Sequence, residues 1–238
     1  RYSYSLGYGT KTKTAYKFLI EKGKVNSLDE LIGRFSVEVV NKQFYTEIAT
    51  AFTELVGGER GGRTYEKLLN LYGVTDHNKY AEFGVRLIGR IMFCWFLREK
   101  KSENGIPLVP DDMLTLTGHE GNYYHDILEP LFFELLNTNQ NRRKKEFQTD
   151  YYAKVPYLNG GLFSPHADDH YKYNGVLHCG EYGVVTIPNE WFVRLYAILG
   201  EYNFTVDENT AYDIELSIDP EMLGRIFENL LAEINPET

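Results

Sequence analysis

Apolar residues fall at helical spacing over most of the chain. Val40, Phe44, Ile48, Phe52 and Leu55 form one stripe and predict a helix over 37–56, stopped by Gly57-Gly58. A longer row, Phe83, Leu87, Ile91 and Trp95, is widened by Ile88, Met92 and Phe96. That breadth predicts a central core helix over 77–101. Further helical patterns cover 15–22 (capped by Thr14), a turn from Ser27 to Leu31, 65–72, 123–136, 189–199 and a last helix opened by Asp219-Pro220. Pro130 kinks or restarts the 123–136 helix. Short strands are expected at 184–187, 204–206 and 212–218, the last from alternation of Asp213, Glu215 and Ser217 with Ile214, Leu216 and Ile218. The fold class is mainly α: a multi-helical domain with a few short β-strands.

The stretch 155–165, VPYLNGGLFSP, is apolar yet bounded by prolines and split by Asn159-Gly160-Gly161. It predicts a tight structural turn that carries Tyr157, Leu158, Leu162 and Phe163 into a core, with a glycine at φ > 0. Two helical subdomains would meet near 140–165.

Composition changes this picture in three places. Apolar residues are 43% of the 238, enough for a sizeable core, and 19 Tyr and 14 Phe suggest broad half-buried faces. Cys94 and Cys179 lack metal-ligand spacing, which suggests a reduced, cytoplasmic protein. No apolar run approaches the roughly 20 residues of a membrane span, and the ends of the chain read as edges of a longer protein. The net charge of −9 is uneven. Ten acids against Arg225 over 201–238 carry all of it, leaving 1–200 balanced and free to meet phosphate.

Candidate chemistry is mostly basic. Lys11 and Lys13 lie in an N-terminal Thr/Lys loop, Arg60 and Arg63 in a Gly-rich loop, and Arg142, Arg143, Lys144 and Lys145 form the densest positive run. Each is a candidate DNA-backbone contact, set against a plain solvated loop. The 57–64 loop imitates a phosphate loop, but a helix precedes it where a strand is required. Arg86, Arg90 and Arg98 share a helix face, and pairing with acids of neighbouring helices is the expectation there. Pro110-Asp111 lacks the acid-x-Lys that a nuclease core needs, so Asp111 or Asp112 is read as a helix cap. His166, Asp168, Asp169 and His170, with His178-Cys179 beyond, raise a metal or hydrolase reading. Their loop-like context does not fix four ligands, so a polar surface insertion is preferred. No catalytic residue and no metal site is expected.

Four stretches together resemble a known block: 37–52 (VEVVNKQFYTEIATAF), 86–101 (RLIGRIMFCWFLREKK), 155–163 (VPYLNGGLF) and 218–238 (IDPEMLGRIFENLLAEINPET). Their order and spacing resemble the region upstream of the methyltransferase in type IIG restriction–modification enzymes and related adenine-specific DNA methylases of phage-defence systems. The resemblance implies a helical connector over 27–238, with 1–26 the tail of a preceding domain. A nuclease would lie before it, and a methyltransferase and a DNA-reading domain after it. The family's Gly-rich S-adenosylmethionine loop and Asn-Pro-Pro-aromatic motif are not in this sequence; Asn235-Pro236-Glu237 is not Asn-Pro-Pro. The resemblance therefore implies no cofactor in this chain. S-adenosylmethionine, and Mg for any nuclease, would belong to the full-length parent. Its implied partners are DNA, held weakly and without sequence preference, and the covalently linked domains, with no membrane. The rival expectation is a pure protein–protein interaction scaffold with no DNA contact.

Overall fold

A computed structural model describes residues 16–34, 37–99, 107–158, 161–165, 169, 172–173, 176–177, 185–204, 217–218, 224–226 and 228–230. Its regular helices are α1 (Leu28–Arg34), α2 (Val37–Val56), α3 (His77–Glu99), α4 (Asp150–Ala153) and α5 (Asn189–Glu201). Helical turns of other pitch join them, and among the described residues eight short strands pair as two-stranded ladders, so the domain is mainly α.

The predicted stripes become the core. Phe44, Ile48 and Leu55 of α2 are fully buried, and α3 is buried almost all round between Tyr80 and Leu97. Removing each such side chain from water contributes about 1.5–3 kcal/mol. Gly84 lets α3 approach α2 closely, since a Cβ there would stand 2.9 Å from Val56 Cγ1. The other flank of α2 receives α5. The Trp191 indole donates to the Ala51 carbonyl at 2.9 Å, and Tyr202 packs edge-on to Phe44 at 4.8 Å. Lys17 ties the N-terminal turn (Lys17–Glu21) to both, pairing with Glu47 of α2 and with Glu201 of α5 at 3.1 Å. Ser27 accepts from the Glu30 N–H at 3.0 Å and so caps α1, as its position in the sequence suggests.

Three local expectations change. The Gly/Arg loop after α2 is a hairpin, β1 (Gly58–Arg60) paired with β2 (Arg63–Tyr65) in the register Arg60↔Arg63. Its two-residue turn has φ +58° at Gly61 and +75° at Gly62, the double positive that a type I′ turn requires. Residues 65–72 form no helix. The Leu68 and Leu69 N–H groups instead cap the Leu55 carbonyl at the end of α2. Leu69 and Leu71 are buried on either side of exposed Asn70, a period of two, and β3 (Asn70–Leu71) pairs with Val185–Thr186. Asp111 and Asp112 lie inside the turn Asp111–Leu114, whose cap position is Pro110, with no side-chain cap bond.

Pro130 divides the next helical stretch into Tyr124–Leu128 and Pro130–Leu136, both wound wider than an α-helix. Along the chain follow α4, β4 (Lys172–Tyr173), β5 (Val176–Leu177), β6 (Val185–Thr186) and α5. Finally β7 (Asn203–Phe204) runs parallel to β8 (Ser217–Ile218).

The 155–165 turn only partly matches its expectation. Val155 and Phe163 are buried and Leu158 packs against the core, but Tyr157 is 39% and Leu162 40% exposed. Gly161 opens a tight turn (Gly161–Phe163) without positive φ, and open space surrounds the position of its missing Cβ. Asn159 and Gly160 lie outside the described residues. No described helix is long and apolar enough to cross a membrane.

Candidate nucleic-acid interface

The basic run 142–145 is split by the fold. Arg143 points inward, its residue only 3% exposed, and its guanidinium donates to four carbonyls. These are Leu135 at 3.0 Å, Thr138 at 3.3 Å, Tyr152 at 2.8 Å and Val155 at 2.7 Å. The planar five-donor fork of arginine suits this work, because the last carbonyls of a helix have no intrahelical partner. Burial lowers the Arg143 pKa below the ordinary arginine value. With all its nitrogens committed inside the protein, Arg143 is a staple of the fold and not a phosphate contact. That corrects its place among the candidates.

Its neighbours face outward. Arg142 and Lys145 are exposed, and Lys144 is exposed while reaching Glu134 at 2.7 Å. The same staple sets the rest of the surface. The Gln148 side chain donates to the Arg143 carbonyl at 2.5 Å, and Gln140 donates to the Ala153 carbonyl at 2.9 Å. The chain from 140 to 155 is thereby wound around one guanidinium.

The second basic element is the hairpin. Arg60 is half-buried, and its Nε donates to Thr53 Oγ1 at 3.0 Å, which turns it back along α2. Arg63, on the partner strand, is exposed. Lys11 and Lys13 lie outside the described residues. The structure therefore places exposed cations at Arg63, Arg142, Lys144 and Lys145, half-buries Arg60 and buries Arg143.

The arginines of α3 are ion-paired, though with Asp169 outside any helix and with Glu99 of their own helix more closely than with an acid of a neighbouring one. Arg90 donates to Asp169 at 2.7 Å and to the carbonyls of Leu162 and Ser164 at 2.8 and 3.1 Å, while Arg86 reaches Asp169 at 3.2 Å. Arg98 contacts Glu99 at 2.8 Å and covers the Trp95 ring at 3.4 Å. Of the four residues in the hydrolase reading, the structure describes only Asp169. It is buried at 1% exposure between two arginines. A carboxylate so placed anchors a turn, and His166, Asp168 and His170 lie outside the described residues. Among the described residues, no group of three or more His, Cys, Asp or Glu is placed to hold a metal.

One buried polar pair escaped the reading of the sequence. His125 Nδ1 meets Glu129 at 2.7 Å and Nε2 meets the Val185 carbonyl at 2.8 Å. Both partners are acceptors, so the arrangement favours the doubly protonated ring. Burial pulls the His125 pKa down, but the Glu129 hydrogen bond and charge, the Val185 carbonyl and the Asp126 charge together raise it. The signal available was the His-x-x-x-Glu spacing on one helix face.

Comparison with known proteins gives two matches. Residues 111–174 match a family described only as a "Domain of unknown function (DUF7814)". Over 163 residues the chain is 34% identical to a protein of Methanocaldococcus jannaschii named "Putative type II restriction enzyme and methyltransferase RM.MjaORFECS2P". That alignment covers 64% of this chain and 12% of the relative, so the chain spans only about an eighth of the relative's length. No solved structure matches. The chain is thus related to a restriction–modification protein across most of its own length.

Proposed function

We propose that this chain is a non-catalytic helical connector of a type IIG-like restriction–modification methyltransferase, setting the distance and orientation of nuclease and methyltransferase domains. The observation that carries this reading is the 34% identity over 163 residues to a restriction–modification protein about eight times the length of the matched segment. The fold supports it. Its buried charged groups Arg90, Asp169, Arg143 and His125 each tie separate segments of the chain together, as a spacer that must hold its shape requires. S-adenosylmethionine, and Mg for cleavage, would be bound by the linked domains, and the parent would serve phage defence in the cytoplasm.

The connector also touches duplex backbone. Lys11, Lys13, Arg60, Arg63, Arg142, Lys144 and Lys145 are its contacts, and they position the duplex without reading it. Fluorescence anisotropy of the 238-residue chain with unrelated duplexes at low salt tests this. The expected result is weak binding, equal for all sequences and lost on adding salt. Tight binding to one sequence, or methyl transfer to DNA by this chain alone, would overturn the connector reading. Absence of any duplex binding would favour the pure interaction scaffold.

A further inference from the structure

The surface wound around Arg143 carries more than cations. The Tyr151 and Tyr157 side chains stand 39% exposed within a dozen residues of the basic run. Tyr151 lies edge-on to Tyr152 at 4.8 Å, and Tyr152 edge-on to Phe147 at 5.4 Å, so these three rings form an aromatic ridge, and Tyr157 follows two residues after the Val155 carbonyl that Arg143 holds. Lys154 is exposed on the same turn. Leaving aside the buried Arg143, residues 140–157 carry four cations against Glu146 and Asp150, on a chain of net charge −9. Asp112, which accepts from the Tyr151 hydroxyl at 2.5 Å, and Glu134, which meets Lys144, border the ridge.

Cations alone suit a duplex, whose phosphates are outside and whose base faces are covered by stacking. A tyrosine hydroxyl can donate to duplex phosphate, but that of Tyr151 is given to Asp112, and an exposed ring gains most where bases are unpaired. Successive bases stack on aromatic rings while cations track the backbone, with little dependence on sequence. The backbone under the ridge is fixed by Arg143, which holds the Tyr152 and Val155 carbonyls, so the rings are presented without much further ordering. We propose that the 140–157 surface is a binding platform for unpaired DNA. Tyr151 and Tyr157 stack on bases, and Arg142, Lys145 and Lys154 follow the phosphates. The inference rests on the connector reading only for the assignment of the basic run to phosphate.

The test is anisotropy of the 238-residue chain with labelled oligothymidylate and with a duplex of equal length, at low salt. The expected result is tighter binding of the single strand. Tyr151→Ala and Tyr157→Ala each weaken it about tenfold while duplex binding holds. Tyr151→Phe, which keeps the ring and loses the Asp112 bond, retains single-strand binding. Far-UV circular dichroism and melting separate loss of stacking from loss of fold, and the Phe variant decides if Ala unfolds the turn. Duplex binding equal to or tighter than single-strand binding overturns the platform and leaves the backbone contacts standing. So does an Ala variant that folds and binds like wild type. No binding of either DNA overturns both and leaves an interaction scaffold.

Discussion

Two turns of this chain are each held from inside by an arginine, and the two are held differently. Arg143 gathers carbonyls only 5 to 12 residues away in sequence, all of them neutral. Arg90 reaches acceptors 72 to 79 residues away, and one of them, Asp169, is a buried carboxylate. The first is a local staple that shapes a surface loop. The second is a long-range tie that holds Leu162, Ser164 and Asp169 to the central helix. The difference lies in what is left when the arginine goes. Losing Arg143 strands carbonyls that water can partly reach by local opening, whereas losing Arg90 leaves a charge inside the protein that Arg86 offsets only in part.

The largest effect is therefore expected at Arg90. Arg90→Ala should cost about 3 kcal/mol in urea unfolding, because buried Asp169 loses its 2.7 Å partner and keeps only the longer contact to Arg86 at 3.2 Å. Adding Asp169→Leu should recover much of that loss, and a double variant no more stable than Arg90→Ala would show that the tie is not electrostatic. Arg143→Ala should cost about 1–3 kcal/mol, with Arg143→Lys in between, since an ammonium cannot span four carbonyls.

His125 extends the comparison to an anchor that can be switched. Arginine stays charged at every working pH, but His125 does not. Its folded pKa is raised, so its contribution is complete below the unfolded value of about 6.5 and is lost as pH rises through the folded value. Glu129, bonded to its Nδ1 at 2.7 Å, and Asp126, next to it on the same helical turn, are the charges that act on it. Unfolding followed between about pH 6 and pH 9 should show stability falling, with the fall flattened in His125→Gln. A stability that rises over that range would contradict this assignment.

The smallest effect separates two glycines. Gly62→Ala at φ +75° should cost about 1 kcal/mol in the hairpin. Gly161→Ala, with no positive φ and open space around it, should stay within about 0.5 kcal/mol.

Helix existence was legible because stripes such as Val40-Phe44-Ile48 state their period many times over. The start and end of α2 and the start of α3 lie where the pattern puts them. What the pattern could not show was set by partners distant in sequence. Leu69 and Leu71 look helical until Val185 arrives to pair with their strand. Arg143 looks like its three basic neighbours, because nothing local says which of four adjacent cations will meet the orphan carbonyls of a helix end. The 155–165 turn was recognised as a turn from Pro156 and Pro165. Its direction was not, since a run of apolar letters does not reveal that Tyr157 and Leu162 face out while Val155 and Phe163 face in.

Inward arginines hold the fold of this chain, and the proposed DNA contacts fall to its outward cations. One experiment addresses both halves: melting and the salt dependence of DNA binding, measured together on two variants. Replacing Arg142, Lys144 and Lys145 by Ala should leave the melting temperature nearly unchanged and reduce the slope of log Kd against log salt by about 2 to 3. Arg143→Ala should do the reverse, lowering the melting temperature while keeping the slope where the chain is folded. A slope that falls with Arg143→Ala, or survives the triple replacement, would contradict the account.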